Sequence, residues 1–241
     1  MKVIHFSGGR TSAFMTIKYY KAGDIVLFCD TGREHPKTYQ FIDDFERNEG
    51  IPVIKIKYRD SDKPFEEFLQ VESGNCHLPN MTQRRCTSHL KIKTARRYLR
   101  KLGLIKYDQI IGFRYDEPLR VKRYHEIWKK VKTSFPLYDD KITKNDVLKY
   151  WENKSYNLEI PSILGNCTLC FMKGKNAIIS ILSQFPELAD EWISDELRTG
   201  KKYFINVSIY ELKQIAQNNL FKNQKMDLQT IEPAFNCSCT S

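Results

Sequence analysis

Apolar residues in the first half of the chain gather into short runs separated by polar stretches with helical spacing. Lys2 to Phe6, Asp24 to Cys29 and Ile51 to Ile56 read as buried strands, and Asp108 to Gly112 as a further short one ending in a loop, Phe113 to Pro118. Helices are predicted between them, from Thr11 to Lys21, from Pro36 to Asn48 with proline in the first turn, and from Leu90 to Leu102. Strands alternating with helices require right-handed crossovers, so the expected fold is α/β, a doubly wound parallel sheet covered on both faces. Ligands of such sheets bind beyond the carboxyl ends of the strands. Ser7 to Ser12, Asp30 to Gly32 and Gly112 to Glu117 all fall there.

Past residue 135 the pattern becomes helical. Ile142 to Val147 reads as a helix start with Thr143 as N-cap and Asp146 at the third position, an acidic form of the capping box. Lys175 to Arg198 is helical in character with a break at Pro186, and Ile209 to Gln217 is one more helix. Asp227 to Ser241 has no periodicity and reads as a mobile or draped tail. The expected organisation is an α/β core over 1–135, a helical C-terminal extension over 136–226 that carries a C-x-x-C motif and packs on the core, and the tail 227–241.

Composition narrows the class. No apolar run approaches the roughly 18 residues of a membrane span, and MKVIHF leads straight into SGGR without the apolar core of a signal peptide, so the expectation is a cytoplasmic protein with no membrane partner. The 14 Phe, 13 Tyr and 3 Trp supply a core, with His5 read as a packed strand residue and Trp128, Trp151 and Trp192 as packing residues. The net charge of +10, with basic clusters at Arg84-Arg85, Lys91 to Lys101 and Arg120 to Lys132, attracts polyanions of every kind. Seven cysteines in a reducing compartment serve metals or redox chemistry more often than structural disulfides. Cys29 is the exception, a buried thiol at a strand end.

Ser7-Gly8-Gly9-Arg10-Thr11-Ser12 combines a strand end, two glycines, hydroxyls and a helix start. These are the parts of an anion cradle: glycines let the backbone approach phosphates, and hydroxyls and a helix N-terminus add donors and positive potential. The spacing is neither that of a Walker A loop nor G-x-G-x-x-G. Arg114 beside Asp116 and Glu117 at a strand end, and Lys91 with Arg85, are candidates to hold an anionic substrate.

These segments resemble a family. Ser-Gly-Gly-x-x-Ser after the first strand is similar to the PP-loop of the adenine-nucleotide alpha-hydrolase superfamily. Asp30-Thr31-Gly32-Arg33-Glu34-His35-Pro36-Lys37-Thr38 resembles a segment of the phosphoadenosine phosphosulfate (PAPS) reductases, as do Arg85-Cys86 to Lys91 and Ile111-Gly112-Phe113-Arg114-Tyr115-Asp116-Glu117. Pro136 to Tyr138 with Ile142 to Val147, and Gly165 to Cys170, come after them in family order. The resemblance implies an adenine nucleotide across the strand ends, with phosphates on Ser7, Gly8, Gly9, Arg10, Thr11 and Ser12 and the adenosine near Asp30, Thr31 and Gly32. Many ATP-splitting members carry Asp where this chain has Thr11, which disfavours magnesium-dependent ATP hydrolysis.

Cys167 and Cys170 form C-x-x-C, with Cys86 upstream. Reductases that carry a [4Fe-4S] cluster draw on an upstream cysteine pair and a downstream C-x-x-C. Here Arg85 replaces the first cysteine of the pair, so Cys76 is chosen as fourth ligand, with His77 or a tail cysteine as alternatives. Zinc would also accept such a set. PAPS reductases attack sulfur with a cysteine in a C-terminal E-C-G-[IL]-H motif; that motif is absent, and Cys237 or Cys239 takes the role by position alone. The expectation is an enzyme of this type, an oxidoreductase with a thioredoxin-like reductant as partner. The alternatives are an ATP pyrophosphatase-type transferase acting on a nucleic acid, and an inactive nucleotide-binding module.

Overall fold

The computed structural model describes residues 1–73, 78–127, 132–218, 227–228 and 231. Five parallel strands, β1 (Lys2–Phe6), β2 (Ile25–Asp30), β3 (Ile54–Lys57), β4 (Asp108–Ile110) and β5 (Thr133–Ser134), form one sheet in the order β3-β2-β1-β4-β5. All four pairings are parallel. The doubly wound sheet is therefore the fold that the alternating pattern predicts. Helices α1 (Arg10–Tyr19) and α2 (Pro36–Glu49) follow the first two strands, and α2 stops at Gly50, which takes the left-handed φ of 66° that glycine adopts without penalty.

Several elements differ from the sequence expectation for physical reasons. The third strand begins at Ile54 rather than Ile51, because Pro52 has no N–H to give to a ladder. The helix expected from Leu90 begins earlier, as π-helical turns over Thr87–Lys93, and tightens into α4 (Thr94–Lys101). Helices α3 (Pro64–Ser73) and α5 (Pro118–Ile127) were hidden by loops rich in charge, and β5, at two residues, is too short to leave a periodic signature. A short helix α6 (Pro136–Asp139) links the sheet to the C-terminal helices.

Beyond it, α7 (Lys144–Glu152) starts at the predicted capping box: the Thr143 N–H and hydroxyl donate to Asp146 Oδ2 at 2.8 and 2.6 Å. Helix α8 (Lys175–Gln184), a 3-10 turn at Pro186–Ala189 and α9 (Asp190–Thr199) reproduce the helix broken at Pro186, and α10 (Ile209–Gln217) comes last. Trp151 and Trp192 are buried, and the largest apolar cluster runs without a break from Ile4 and Phe28 through Trp151, Ile181 and Trp192 to Leu228. Leu228 is buried. Trp128, Cys76, Cys237 and Cys239 lie outside the described residues. His5 is a packed strand residue: its Nε2 donates to Gln109 Oε1 across the β1–β4 pair at 2.9 Å, and burial pushes its pKa below the ordinary value. No helix among the described residues is long and apolar enough to cross a membrane.

Candidate functional site

The chain leaves β1 toward β2 on one side and returns to β4 on the other, so the loops beyond β1 and β4 diverge and leave a crevice. A cavity of about 440 Å³ occupies it, lined by Ser7, Gly9, Arg10 and Thr11 from the first loop and by Arg114, Asp116 and Glu117 from the loop after β4. The third wall comes from the extension and includes Lys144, Asn166, Cys170 and Lys173.

The first loop is held open by its own hydroxyls. The buried Ser12 Oγ accepts from the Ser7 N–H at 3.0 Å and donates to the Gly9 carbonyl at 3.0 Å, so Ser7 Oγ, 3.0 Å away, is the donor of their mutual bond. Gly8 has φ +76°, and a Cβ there would lie 2.5 Å from Thr38 Cγ2. Gly9 is different. A Cβ there would meet only Ser7 Oγ, at 3.6 Å, because that side faces the cavity. Gly9 is also the N-cap of α1, with no side chain capping the helix and no acidic residue in the first turn, so the positive end of the helix opens toward the cavity.

Arg114 closes the other side. Its guanidinium donates to Thr11 Oγ1 at 3.2 Å and to Asp116 Oδ1 at 3.0 Å, and lies 3.5 Å from a Glu117 oxygen. The two carboxylates hold the arginine across the loop, joining motifs about one hundred residues apart in sequence. Arg10 has another task. Its side chain donates to Asn157 Oδ1 at 2.8 Å and to the Leu158 and Ile160 carbonyls, binding α1 to the 157–160 loop, and burial lowers its pKa.

Asp30, Thr31 and Gly32 do not line this cavity. Asp30 Oδ1 accepts from the Gly32 N–H at 2.8 Å and from the Tyr39 hydroxyl at 2.7 Å. Thr31 gives its hydroxyl to Glu34 Oε1 at 2.7 Å and lies 3.3 Å from Cys167 Sγ. Glu34 is buried and its pKa is raised, first by burial, with Lys91 opposing. Lys91 is itself buried and stands with Glu34, Cys29 and Cys167 rather than in the cavity lining. Cys29, as expected, is a buried thiol, and its pKa is pushed up to about 12 by burial.

The C-x-x-C cysteines part company. Cys170 lines the cavity, whereas Cys167 faces Thr31 and Glu34, and its thiol is pushed up to about 12, first by burial and then by the charge of Glu34. Cys86 is near enough to Cys167 to raise it further. Among the described residues no three His, Cys, Asp or Glu side chains gather as a metal group, so Cys86, Cys167 and Cys170 do not form one there. Cys76, the fourth ligand expected from the sequence, lies outside the described residues.

A profile of the phosphoadenosine phosphosulfate reductase domain matches residues 2–159. The chain belongs to the phosphoadenosine phosphosulfate reductase domain family. It is 29% identical over 207 residues to an uncharacterized nin region protein of Escherichia phage lambda, covering 74% of this chain and 68% of the phage protein. Two uncharacterized proteins of Methanocaldococcus jannaschii are 26% and 23% identical over 208 and 204 residues, covering 81% and 79% of this chain. The matched regions span 47% and 40% of the archaeal proteins' own lengths. The family binds adenine nucleotides, and the five-stranded parallel sheet with its crevice between β1 and β4 is the frame on which this member would do so.

Sequence reasoning missed three contributors to the PAPS reductase-family cavity. Lys144 reads from the sequence only as part of a helix start, although its place next to the Thr143 N-cap puts it at the cavity wall. The Lys173 ammonium donates to the carbonyls of Cys167 and Thr168 at 2.8 and 2.7 Å, which fixes the C-x-x-C turn; its signal was a lysine directly after the apolar pair Phe171-Met172 and before a glycine. Asn166 lines the cavity with φ +57° and a buried Oδ1 that has no hydrogen-bond partner among the described residues.

Proposed function

We propose that the protein is a sulfonucleotide reductase that binds adenylyl sulfate or its 3′-phosphorylated form and releases sulfite. The observation that carries this reading is the joining of Ser7, Gly9, Thr11 and Arg114 around one cavity at the uncapped start of α1. Backbone N–H groups and a helix N-terminus hold a phosphate without needing a carboxylate-bound metal at Thr11, and Arg114 places a charged fork on the second anionic group. The bound nucleotide offers its sulfo group toward the cavity mouth.

The nucleophile in this reading is the thiolate of Cys237 or Cys239, both outside the described residues. The support is positional: Ile231 lines the same cavity, and Cys237 stands six residues further on, a length of chain that extends to about 20 Å. The thiolate attacks sulfur, an S–S bond forms, the S–O bond breaks, and its electron pair leaves with the nucleotide phosphate. A dithiol of the thioredoxin class then attacks the cysteine sulfur, sulfite departs with the S–S electron pair, and the second thiol of the dithiol closes its own disulfide and frees the cysteine. Two electrons pass from the dithiol to sulfur.

The test offers anaerobically purified protein adenylyl sulfate, PAPS and ATP with a dithiol, and quantifies sulfite, AMP, adenosine 3′,5′-bisphosphate and pyrophosphate together. Sulfite in equal amount to the matching nucleotide, lost in the Cys237→Ser/Cys239→Ser double variant, is the expected result. AMP and pyrophosphate from ATP, or full activity in the double variant, contradicts it.

A further inference from the structure

The net charge of +10 is concentrated in one stretch. Residues 73–107 carry nine Lys and Arg and no Asp or Glu. The fold turns the part from Arg96 to Tyr107 into a surface. Helix α4 buries Ala95 and Leu99 against Val3, Leu27 and Ile56 of the sheet, which forces Arg97, Arg100 and Lys101 outward, where they are exposed. Past the helix the loop 104–107 turns back, and together with Met1 and Lys132 it encloses a cleft of about 550 Å³, into which Arg96, Arg100, Lys106 and Lys132 project positive charge. Among the described residues the one carboxylate in its lining, Asp108, is paired with Lys132 at 2.8 Å.

This cleft lies away from the nucleotide cavity. Met1 precedes β1, Asp108 begins β4 and Lys132 precedes β5, so it sits at the amino ends of the strands, whereas Ser7 and Arg114 lie beyond the carboxyl ends. The five residues of β1 separate the two by about 16 Å. The arrangement also has an energetic cost. Arg96 with Arg100, and Arg97 with Lys101, are like-charged pairs four apart on one helix, each of them repulsive. The negative end of the α4 dipole offsets part of this for Arg100 and Lys101 only. A polyanion laid along the face would relieve all of it.

We propose that this face is a nucleic-acid docking surface that grips the phosphodiester backbone through Arg96, Arg97, Arg100 and Lys106, independently of the nucleotide site and of the sulfonucleotide reading. Five of the nine cations in the stretch are arginine, whose planar fork matches phosphate. The surface is concave, with Tyr107 in its wall, and a strand of phosphates enters a cleft that the plane of a bilayer does not. Leu102 and Ile105 are exposed beside it, which makes an anionic membrane the competing partner.

The experiment is fluorescence anisotropy with a labelled mixed-sequence 20-nucleotide DNA, single-stranded and as duplex, titrated at several salt concentrations. Wild-type affinity falls linearly on a log–log plot against salt. Arg97→Glu/Arg100→Glu/Lys106→Glu weakens binding at least about 30-fold, and Arg97→Gln/Arg100→Gln/Lys106→Gln lowers the slope by about two, the value for three lost single-strand phosphate contacts. Saturating adenosine 3′,5′-bisphosphate leaves DNA affinity unchanged. The proposal is overturned if both variants bind as wild type, if the nucleotide competes with DNA, or if phosphatidylserine vesicles are bound and DNA is not. Should the Glu variant fail to fold, the Gln variant decides alone.

Discussion

The loops beyond β1 and β2 start from neighbouring parallel strands and pair their polar groups in opposite ways. Both carry a glycine at positive φ, Gly8 and Gly32, and both hold hydroxyls next to charge. The β1 loop satisfies its own hydroxyls internally and leaves a helix N-terminus and Gly9 facing an open cavity. The β2 loop spends its polar groups on the interior: Asp30 on Tyr39 and Gly32, Thr31 on Glu34, and the backbone of Arg33 and Glu34 on Thr168 and Cys167. A place at a strand end makes a loop available to ligand. What decides its use is whether its donors are already paired.

The largest effect that would break this contrast lies at Gly8. Gly8→Ala forces a Cβ within 2.5 Å of Thr38 in a left-handed conformation, and should destabilise the protein by about 2–4 kcal/mol, read as a fall in Tm. An unchanged Tm would mean that the loop is not held against α2. Gly9→Val, one residue on, should fold normally and lose at least about 100-fold in adenine-nucleotide affinity by calorimetry, since its side chain fills the cavity floor where phosphate approaches. Arg114→Gln keeps the shape but removes the charged fork, for a loss of about 10-fold, in line with about 1.5 kcal/mol for a hydrogen bond to a charged group.

Tyr39→Phe tests the other side of the comparison. It strips a donor from buried Asp30 and Glu34, which should cost about 1–2 kcal/mol in chemical denaturation and leave nucleotide affinity within about twofold. A large loss of affinity would put the β2 loop back among the ligand contacts. The smallest effect is remote from both loops. The Ser208 N–H, then Lys202 and the Ser208 hydroxyl, hold the Glu211 pKa down to about 2 from its usual 4.5. A depressed carboxylate stabilises the fold above its unfolded pKa, and that contribution drains away as pH falls from about 4.5 toward 2. Thermal melts across that range should therefore show a steeper loss of Tm in wild type than in Glu211→Gln.

The sheet was legible because its first strands are apolar runs punctuated by Gly, Asp and Pro, and the capping box at Thr143 and the break at Pro186 are local signals that burial does not override. Helices α3 and α5 were not read, because charge-rich loops flank them; the face Phe65, Phe68 and Leu69 of α3, all buried, is the signal that was passed over. At the site, spacing located Ser7 to Ser12 and Arg114, and the fold brought them within 3.2 Å of one another at Thr11. Sequence placed Arg10 among the phosphate contacts as part of the Ser7 to Ser12 segment, and Lys91 among the candidates for an anionic substrate. Their burial and their partners are long-range facts: Arg10 is bonded to carbonyls about 150 residues away, and Lys91 is packed beside Cys167. The cysteine pattern left orientation open for a related reason, because a two-residue spacing does not say that Cys167 turns toward Thr31 while Cys170 turns to the cavity.

Phosphate binding at the loop beyond β1 is what an adenine nucleotide would require of this protein. Calorimetric titration of adenosine 3′,5′-bisphosphate into wild type and Gly9→Val, with matched circular dichroism, tests it most directly. Saturable one-to-one binding by wild type and none measurable by a folded Gly9→Val protein are expected; equal affinity in the two would rule out phosphate binding at this loop.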